Sequence, residues 1–275
     1  MLEMDDGVFA KLRDMVYELT GLYFDERKKY FFNRRVEQRI EAVGATSALD
    51  YYQMIRYGND ADELRELAEA LTTNETYFFR EYPQLKSFAE DILPEVLEQK
   101  QRRGDRVLRL WSAGCSTGEE PYTLAIILRE MIEDFSRWDV SLTATDLSRE
   151  ALRCAKRGVY SERSVKDVPT VYFHRYFQPL NGGWRLDPSI MAMVRFQYAN
   201  LLDVSVVQSL SDLDFIFCRN VLIYFDDASR RRVVASFYDA LRPGGFIFLG
   251  HSESVSRITS AFRLIRRGDT LAYVK

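Results

Sequence analysis

The chain has 275 residues, 47% hydrophobic and 29% charged, which suits an ordered protein with one large α/β domain or a large domain plus a small one. No apolar run approaches the ~20 residues of a membrane helix, and the acidic start MLEMDDGVF is unlike a secretory signal, so a cytoplasmic protein without direct membrane insertion is expected. A net charge of −3, three cysteines without a C-x-x-C pair and only two histidines argue against a nucleic-acid binder, a disulfide framework and a metal site.

Residues 1 to about 70 read as helical. Val8, Leu12, Met15, Val16 and Leu19 follow helical spacing, with Gly21 as a stop. Arg27 to Arg39 carries six basic residues and one acid, a local +5 that leaves −3 − 5 = −8 on the rest. Phe32, Val36 and Ile40 form its buried stripe, with Lys28, Arg35 and Arg39 on a neighbouring ridge and Arg27 and Arg34 beside them. Such a patch suits an acidic macromolecular partner or is a solvated helix face. A third helix follows Thr46 or Ser47. A fourth starts at Asp60, with Glu63 completing a capping box. Four helices make a small bundle.

From residue 107 strands and helices alternate. VLRLWS (107–112), VSLTATD (140–146), VRFQYANLL (194–202), DFIFC (214–218) and FIFLGH (246–251) read as strands. A Gly-rich loop and a helix follow the first, a helix begins near Ser148, and another spans Ala228 to Leu241. This alternation predicts a parallel sheet. FRLIRRGDTLAYV closes the chain as a hairpin turning at Gly268-Asp269, which adds one antiparallel strand at the edge. Residues 160 to 193 interrupt the alternation. They are aromatic, turn at Asn181-Gly182-Gly183-Trp184, and read as a β-rich insert.

The sharpest local signal is WSAGCSTGEEPY, Trp111 to Tyr122, between a strand and a helix. Small residues there let backbone approach a nucleotide-type ligand, and Pro121 suits the helix's first turn. Glu119 and Glu120 disfavour a phosphate and suit a cation such as S-adenosylmethionine. Asp146, at the second strand's end, is placed either to bind a ribose or to cap the next helix. Gly114-Cys115-Ser116-Thr117-Gly118 also matches the hydrolase elbow G-x-S-x-G. No HGGG-type segment precedes it, and the two glutamates would repel an oxyanion. Asn74 to Arg80 (NETYFFR) reads as a linker cluster. Arg219, Asn220 and Tyr224, in CRNVLIYF, follow the fourth strand, where open α/β sheets bind ligands. His251, in GHSES, reads as a structural or supporting residue.

Together these segments resemble the bacterial chemotaxis receptor methyltransferases, a family of protein-glutamate O-methyltransferases. The resemblance runs through the basic helical segment, N-x-T-x-F-F-R, SAGCSTGEEPY, ATD, NLL, CRNVLIYF, LRPGGFIFLGHSE and the closing hairpin. It implies an α/β, class I (Rossmann-like) S-adenosylmethionine-dependent methyltransferase sheet with a small antiparallel β-subdomain, preceded by a small all-α domain. Residues 1–71 would be the helical domain, 72–85 the linker, and 86–275 the methyltransferase domain, with the insert at about 160–193. The positions matching cofactor contacts are Asn74, Thr76, Arg80, Ala113, Glu120, Asp146, Asn200, Leu201, Arg219 and Asn220. Arg80 and Tyr224 match the positions beside the transferred methyl group. Lys28, Arg34, Arg35 and Arg39 would face the acidic methylation region of the receptors' cytoplasmic domains. The implied products are a glutamyl methyl ester and S-adenosylhomocysteine, made by a monomer. Some members dock a tethering peptide on the β-subdomain; here its loop at residues 181–183 is short. A serine hydrolase, a sensor that binds S-adenosylmethionine without turning it over, and a small-molecule or DNA methyltransferase are the competing readings.

Overall fold

A computed structural model describes residues 4–58, 61–203, 209–268 and 270–275. The chain divides into two compact units: Met1–Thr73 with Ile223–Arg230, and Asn74–Leu222 with Arg231–Lys275.

The first unit is built on four helices: α1 (Asp6–Thr20), α2 (Lys29–Val43), α3 (Ala48–Tyr57) and α4 (Ala61–Ala70). Gly21 ends α1 in the left-handed conformation, and Ser47 caps α3 by accepting the Asp50 N–H. Asp60, the expected cap of α4, lies outside the described residues. Phe32, Val36 and Ile40 are buried as their spacing requires. Phe32 meets Phe9 and Phe24 edge-on, with ring centroids 5.2 and 5.3 Å apart. Full burial of such side chains contributes about 1.5–3 kcal/mol each. The later segment joins this unit through main chain: the Tyr23 N–H donates to the Tyr224 carbonyl at 2.9 Å, and the Tyr17 hydroxyl donates to Asp226 at 2.9 Å.

The basic ridge is not uniform. Arg39 donates from Nε and Nη2 to the two oxygens of Glu63, at 2.9 and 2.6 Å, and the Tyr51 hydroxyl donates to the same carboxylate at 2.6 Å. Glu63 is buried, so this carboxylate binds α2 and α3 to α4. Arg39, expected as a docking cation, is thus committed within its own unit. Arg34 is exposed, Arg35 lies over the Phe31 ring, and the Lys28 ammonium lies 5.9 Å from the Tyr224 ring centre.

The second unit opens with a helical stretch that carries no assignment from pattern. It comprises α5 (Tyr82–Ser87), a π-helical turn (Phe88–Ile92) and α6 (Leu93–Arg102). The wide turn just before Pro94 shifts the phase of the apolar positions. It also seats Phe88 among Phe215, Phe217 and Phe248, with centroids 5.1, 5.1 and 5.5 Å away.

The sheet contains β1 (Val107–Ala113), β2 (Asp139–Asp146), β6 (Val194–Tyr198), β7 (Leu213–Cys218), β8 (Leu241–Leu249), β9 (Arg263–Arg267) and β10 (Thr270–Val274). Their order is β6-β2-β1-β7-β8-β10-β9. All are parallel except β10, which runs antiparallel to β8 and β9. The expected single antiparallel strand is present, but it is inserted beside the edge; β9 takes the edge itself. Asp269, in the hairpin turn, lies outside the described residues. Main connecting helices are α7 (Glu119–Met131), α8 (Arg149–Arg157) and α12 (Asp227–Ala240). Every residue of β7 is buried, the mark of a strand covered on both faces. The insert forms its own antiparallel sheet, β3-β5-β4, from Val159–Tyr160, Gly183–Leu186 and Phe177–Leu180. Phe78 packs edge-on against its Tyr160 and Phe177, with centroids 4.7 and 5.0 Å apart. Between them, along the chain, lie short helices α9 (Glu162–Val165) and α10 (Thr170–Tyr176), and α11 (Pro188–Met191) follows.

Candidate cofactor site

Strand order reverses between β1 and β7, so the loops leaving their C-terminal ends diverge and open a crevice. The loop after β1 is shaped by backbone conformations most side chains avoid. Gly114 has φ +79°, and a Cβ there would come 2.5 Å from Val221 Cγ2. Gly118 has φ +95°, with a Cβ position 2.8 Å from the Ala155 methyl. Asp146 holds this loop: one oxygen accepts the Ser116 N–H at 2.7 Å, the other the Ser148 N–H at 2.8 Å. The cap of α8 is Ser148, whose hydroxyl accepts from the Ala151 N–H. Asp146 is therefore not that cap.

Glu119 and Glu120 part company. Glu119 is buried against the Thr117 hydroxyl, 2.6 Å away, and burial raises its pKa. Glu120 accepts from the Ser112 hydroxyl at 2.7 Å and from Arg219 Nη1 at 3.3 Å. Burial pushes its carboxyl above the usual range, against the pull of Arg219 and Ser112. Arg219, almost wholly buried, also lies 3.4 Å from Glu81 and donates to the Arg80 carbonyl. The Ser116 hydroxyl donates to the Asn74 carbonyl at 3.4 Å, so Asn74 borders the β1 loop. Phe79 and Glu81 have φ of +58° and +55°, backbone strain held by hydrogen bonds from the Phe78 N–H to the Ser164 carbonyl and from the Phe79 N–H to Thr123. Arg80 donates to the Glu75 carbonyl at 2.9 Å and lies over Tyr77. The NETYFFR segment is thus built into the second unit.

On the other side of β2, Asn200 Oδ1 accepts the Leu202 N–H at 3.0 Å, and Leu201 is buried. Ala113 is buried at the end of β1, and Thr76 is half-buried. Tyr224 falls in the first unit. The two histidines are exposed. Sequence reasoning read His251 as a structural or supporting residue; in the same segment Glu253 makes the organising contacts, accepting the N–H groups of Asn220 and Gly250 at 2.8 and 2.7 Å. Ser112, Glu81 and Glu253 carried no signal of their own.

These residues fit a cationic nucleoside. Two carboxylates, the partly buried Glu120 and the buried Asp146, flank small-residue backbone. Arg219 Nε and Asn220 Oδ1 are buried without a hydrogen-bond partner among the described residues, a cost that a polar ligand relieves. Among those residues no cluster of three His, Cys, Asp or Glu is disposed to hold a metal, and no helix is long and apolar enough to cross a membrane.

A seven-stranded sheet of this order, with an acid after β2 and an S-A-G-C-S-T-G loop after β1, defines an S-adenosylmethionine-dependent methyltransferase. Residues 74–269 match the family model "CheR methyltransferase, SAM binding domain", and residues 8–72 match "CheR methyltransferase, all-alpha domain". The chain belongs to the CheR methyltransferase family. It is 42% identical over 271 residues to chemotaxis protein methyltransferase 2 of Vibrio cholerae, covering 98% of this chain and 93% of that protein. Chemotaxis protein methyltransferase 1 of Pseudomonas aeruginosa is 32% identical, covering 96% of each chain. The chemotaxis protein methyltransferase of Salmonella typhimurium is 32% identical, covering 98% of this chain and 91% of that one.

Proposed function

We propose that the protein transfers the methyl group of S-adenosylmethionine to glutamate side chains in the cytoplasmic domains of chemotaxis receptors, forming glutamyl methyl esters for sensory adaptation. The observation that carries this is the end-to-end likeness, all-α segment included, to proteins named as chemotaxis methyltransferases. The bound cofactor supplies an electrophilic methyl on a sulfonium. A glutamate carboxylate is already ionised at neutral pH. It needs no general base and releases no proton on becoming an ester, so the protein's tasks are alignment, exclusion of water and control of charge.

Asp146 and Glu120 hold the cationic and ribose portions of the cofactor in this reading. Asn74, Thr76, Ala113, Asn200, Leu201, Arg219 and Asn220 complete its contacts. Arg80 holds the incoming carboxylate or screens it from the two acids, and Tyr224 orients the attacking oxygen. Both roles rest on the resemblance in sequence. Lys28, Arg34 and Arg35 attract the acidic receptor segment; Arg39, spent on Glu63, acts by holding their helix. The protein works as a cytoplasmic monomer, with residues 1–71 addressing the receptor and the 72–85 linker together with 86–275 carrying the chemistry.

The test is label transfer from radioactive S-adenosylmethionine to receptor cytoplasmic domains, followed by mild alkali. Base-labile label on glutamates, lost with Asp146→Ala, is the expected result. Cofactor binding without transfer to any receptor domain would defeat the assignment. Arg80→Ala and Tyr224→Phe should lower turnover with the cofactor still bound; normal turnover in both would remove them from the mechanism.

A further inference from the structure

The loops that leave β7 and β8 at their C-terminal ends are joined by one side chain. A single oxygen of Glu253 accepts the backbone N–H of Asn220 at 2.8 Å and of Gly250 at 2.7 Å. Asn220 has φ +60°, a left-handed conformation that Asn tolerates when its surroundings hold it. Gly250 permits the approach: a Cβ there would lie 2.8 Å from the Asn220 N, from its Nδ2 and from a Glu253 oxygen. The end of β8 is itself fixed, since Gln84 Nε2 donates to the Leu249 carbonyl at 2.9 Å. Held this way, Asn220 keeps its Oδ1 buried, with no hydrogen-bond partner among the described residues. It is an acceptor set in place before its ligand arrives.

We propose that Glu253 is a positioning residue that locks the backbone of Asn220 so that the Asn220 side chain meets the cofactor. The inference rests on the reading of Asn220 as a cofactor contact. A carboxylate suits the task because its hydrogen bonds to backbone N–H groups are charge-assisted and roughly twice as strong as neutral ones. Without it two N–H groups lose their acceptor, and the strained residue relaxes away from the crevice.

The experiment is calorimetric titration of the full-length protein with S-adenosylhomocysteine, in a cycle of Asn220→Ala, Glu253→Ala and the double variant. Each single change should raise Kd about tenfold or more, and the double should be no worse than Asn220→Ala alone. Glu253→Gln should stay within about threefold, because its amide oxygen still accepts two N–H groups. If Glu253→Ala does not fold, Glu253→Asp, which withdraws the oxygen by one methylene, takes its place in the cycle. Multiplying losses in the double, or a parental Kd when Glu253 is replaced, would overturn the inference while leaving Asn220 as a contact. A parental Kd in Asn220→Ala would remove that contact, and the inference with it.

Discussion

Arg39→Ala should weaken the protein through folding and not through docking. Its guanidinium makes a two-pronged contact with Glu63 and lies 3.9 Å from Glu66. Side-chain exposure is 23% for Arg39 and 6% for Glu63, so the pair is largely out of water. Removing one member of a buried pair costs about 3–5 kcal/mol, and the partial exposure of Arg39 lowers this to about 2–4 kcal/mol. Glu63 also keeps the Tyr51 hydroxyl, whose proton is held well above its usual pKa by burial and by that bond. Arg39→Lys should lose an intermediate amount, since an ammonium cannot reproduce the fork. Arg39→Met combined with Glu63→Leu and Tyr51→Phe should recover much of the loss, because neither a charge nor the Tyr51 hydroxyl is left unpaired. Urea unfolding followed by far-ultraviolet circular dichroism reads the stability, and methyl transfer to receptor domains at low urea reads function. An unchanged unfolding midpoint in Arg39→Ala, together with a lost receptor response, would refute the reasoning and return Arg39 to the docking face.

Arg35→Glu, by contrast, should raise the KM for the receptor severalfold, leave S-adenosylhomocysteine affinity unchanged and flatten the salt dependence of methylation; equal loss of cofactor binding would contradict that division. Glu120 should give cofactor affinity a pH dependence. Its carboxyl, raised mainly by burial, is charged only above that raised value, so affinity falls as pH drops through it. The stability contribution runs oppositely: a raised folded-state pKa favours folding below the unfolded value and loses that increment as pH rises through the folded one. Glu120→Gln should bind more weakly wherever the native carboxyl is charged and should flatten the fall in affinity toward acid pH, and an unaltered slope would exclude Glu120 as its source. Gly114→Ala should cost about 1–3 kcal/mol, since it combines positive φ with a Cβ 2.5 Å from Val221. Adding Val221→Ala should relieve the clash but not the φ strain, so thermal melting should recover in part; full recovery would assign the whole cost to the clash.

What could be read from the sequence follows periodicity and local chemistry. The buried stripe at Phe32, Val36 and Ile40, the stop at Gly21, the start at Ser47, and the alternation from Val107 onward are local patterns, and each yields its element. The helical stretch at residues 82–102 escaped because a π turn and Pro94 break the 3.6-residue phase. The closing hairpin was legible as two strands, but its insertion beside β8 was not, because pairing order is decided by tertiary packing. Within the site, residue types and strand ends pointed to Asp146, Glu120 and Arg219. The different fates of Glu119 and Glu120 depend on one helical step of about 100°, which turns one carboxylate to Thr117 and the other to Ser112 and Arg219. The pairing of Arg39 with Glu63 was hidden for the same kind of reason. A ridge of cations read from one helix does not reveal the acid that a neighbouring helix presents to it.

With the carboxylate substrate proposed above, a methyltransferase that binds a cation faces a conflict of charge. Carboxylates that attract the cofactor repel a carboxylate nucleophile: two unit charges ~6 Å apart at an effective dielectric constant near 20 oppose each other by about 3 kcal/mol, equivalent to roughly a hundredfold in rate. The acids of this site are accordingly drawn inward. Asp146 accepts two backbone N–H groups, and Glu120 accepts from Ser112 and Arg219. Arg219 offsets Glu120 from a nearly solvent-free position, where screening by salt is weak. The raised pKa of Glu120 records that its burial outweighs this compensation. Much of the negative charge is therefore balanced by the protein before any substrate approaches, and the cofactor's own positive charge can balance more. Such a site can retain acids strong enough to select a sulfonium nucleoside while remaining permissive to the proposed glutamate substrate.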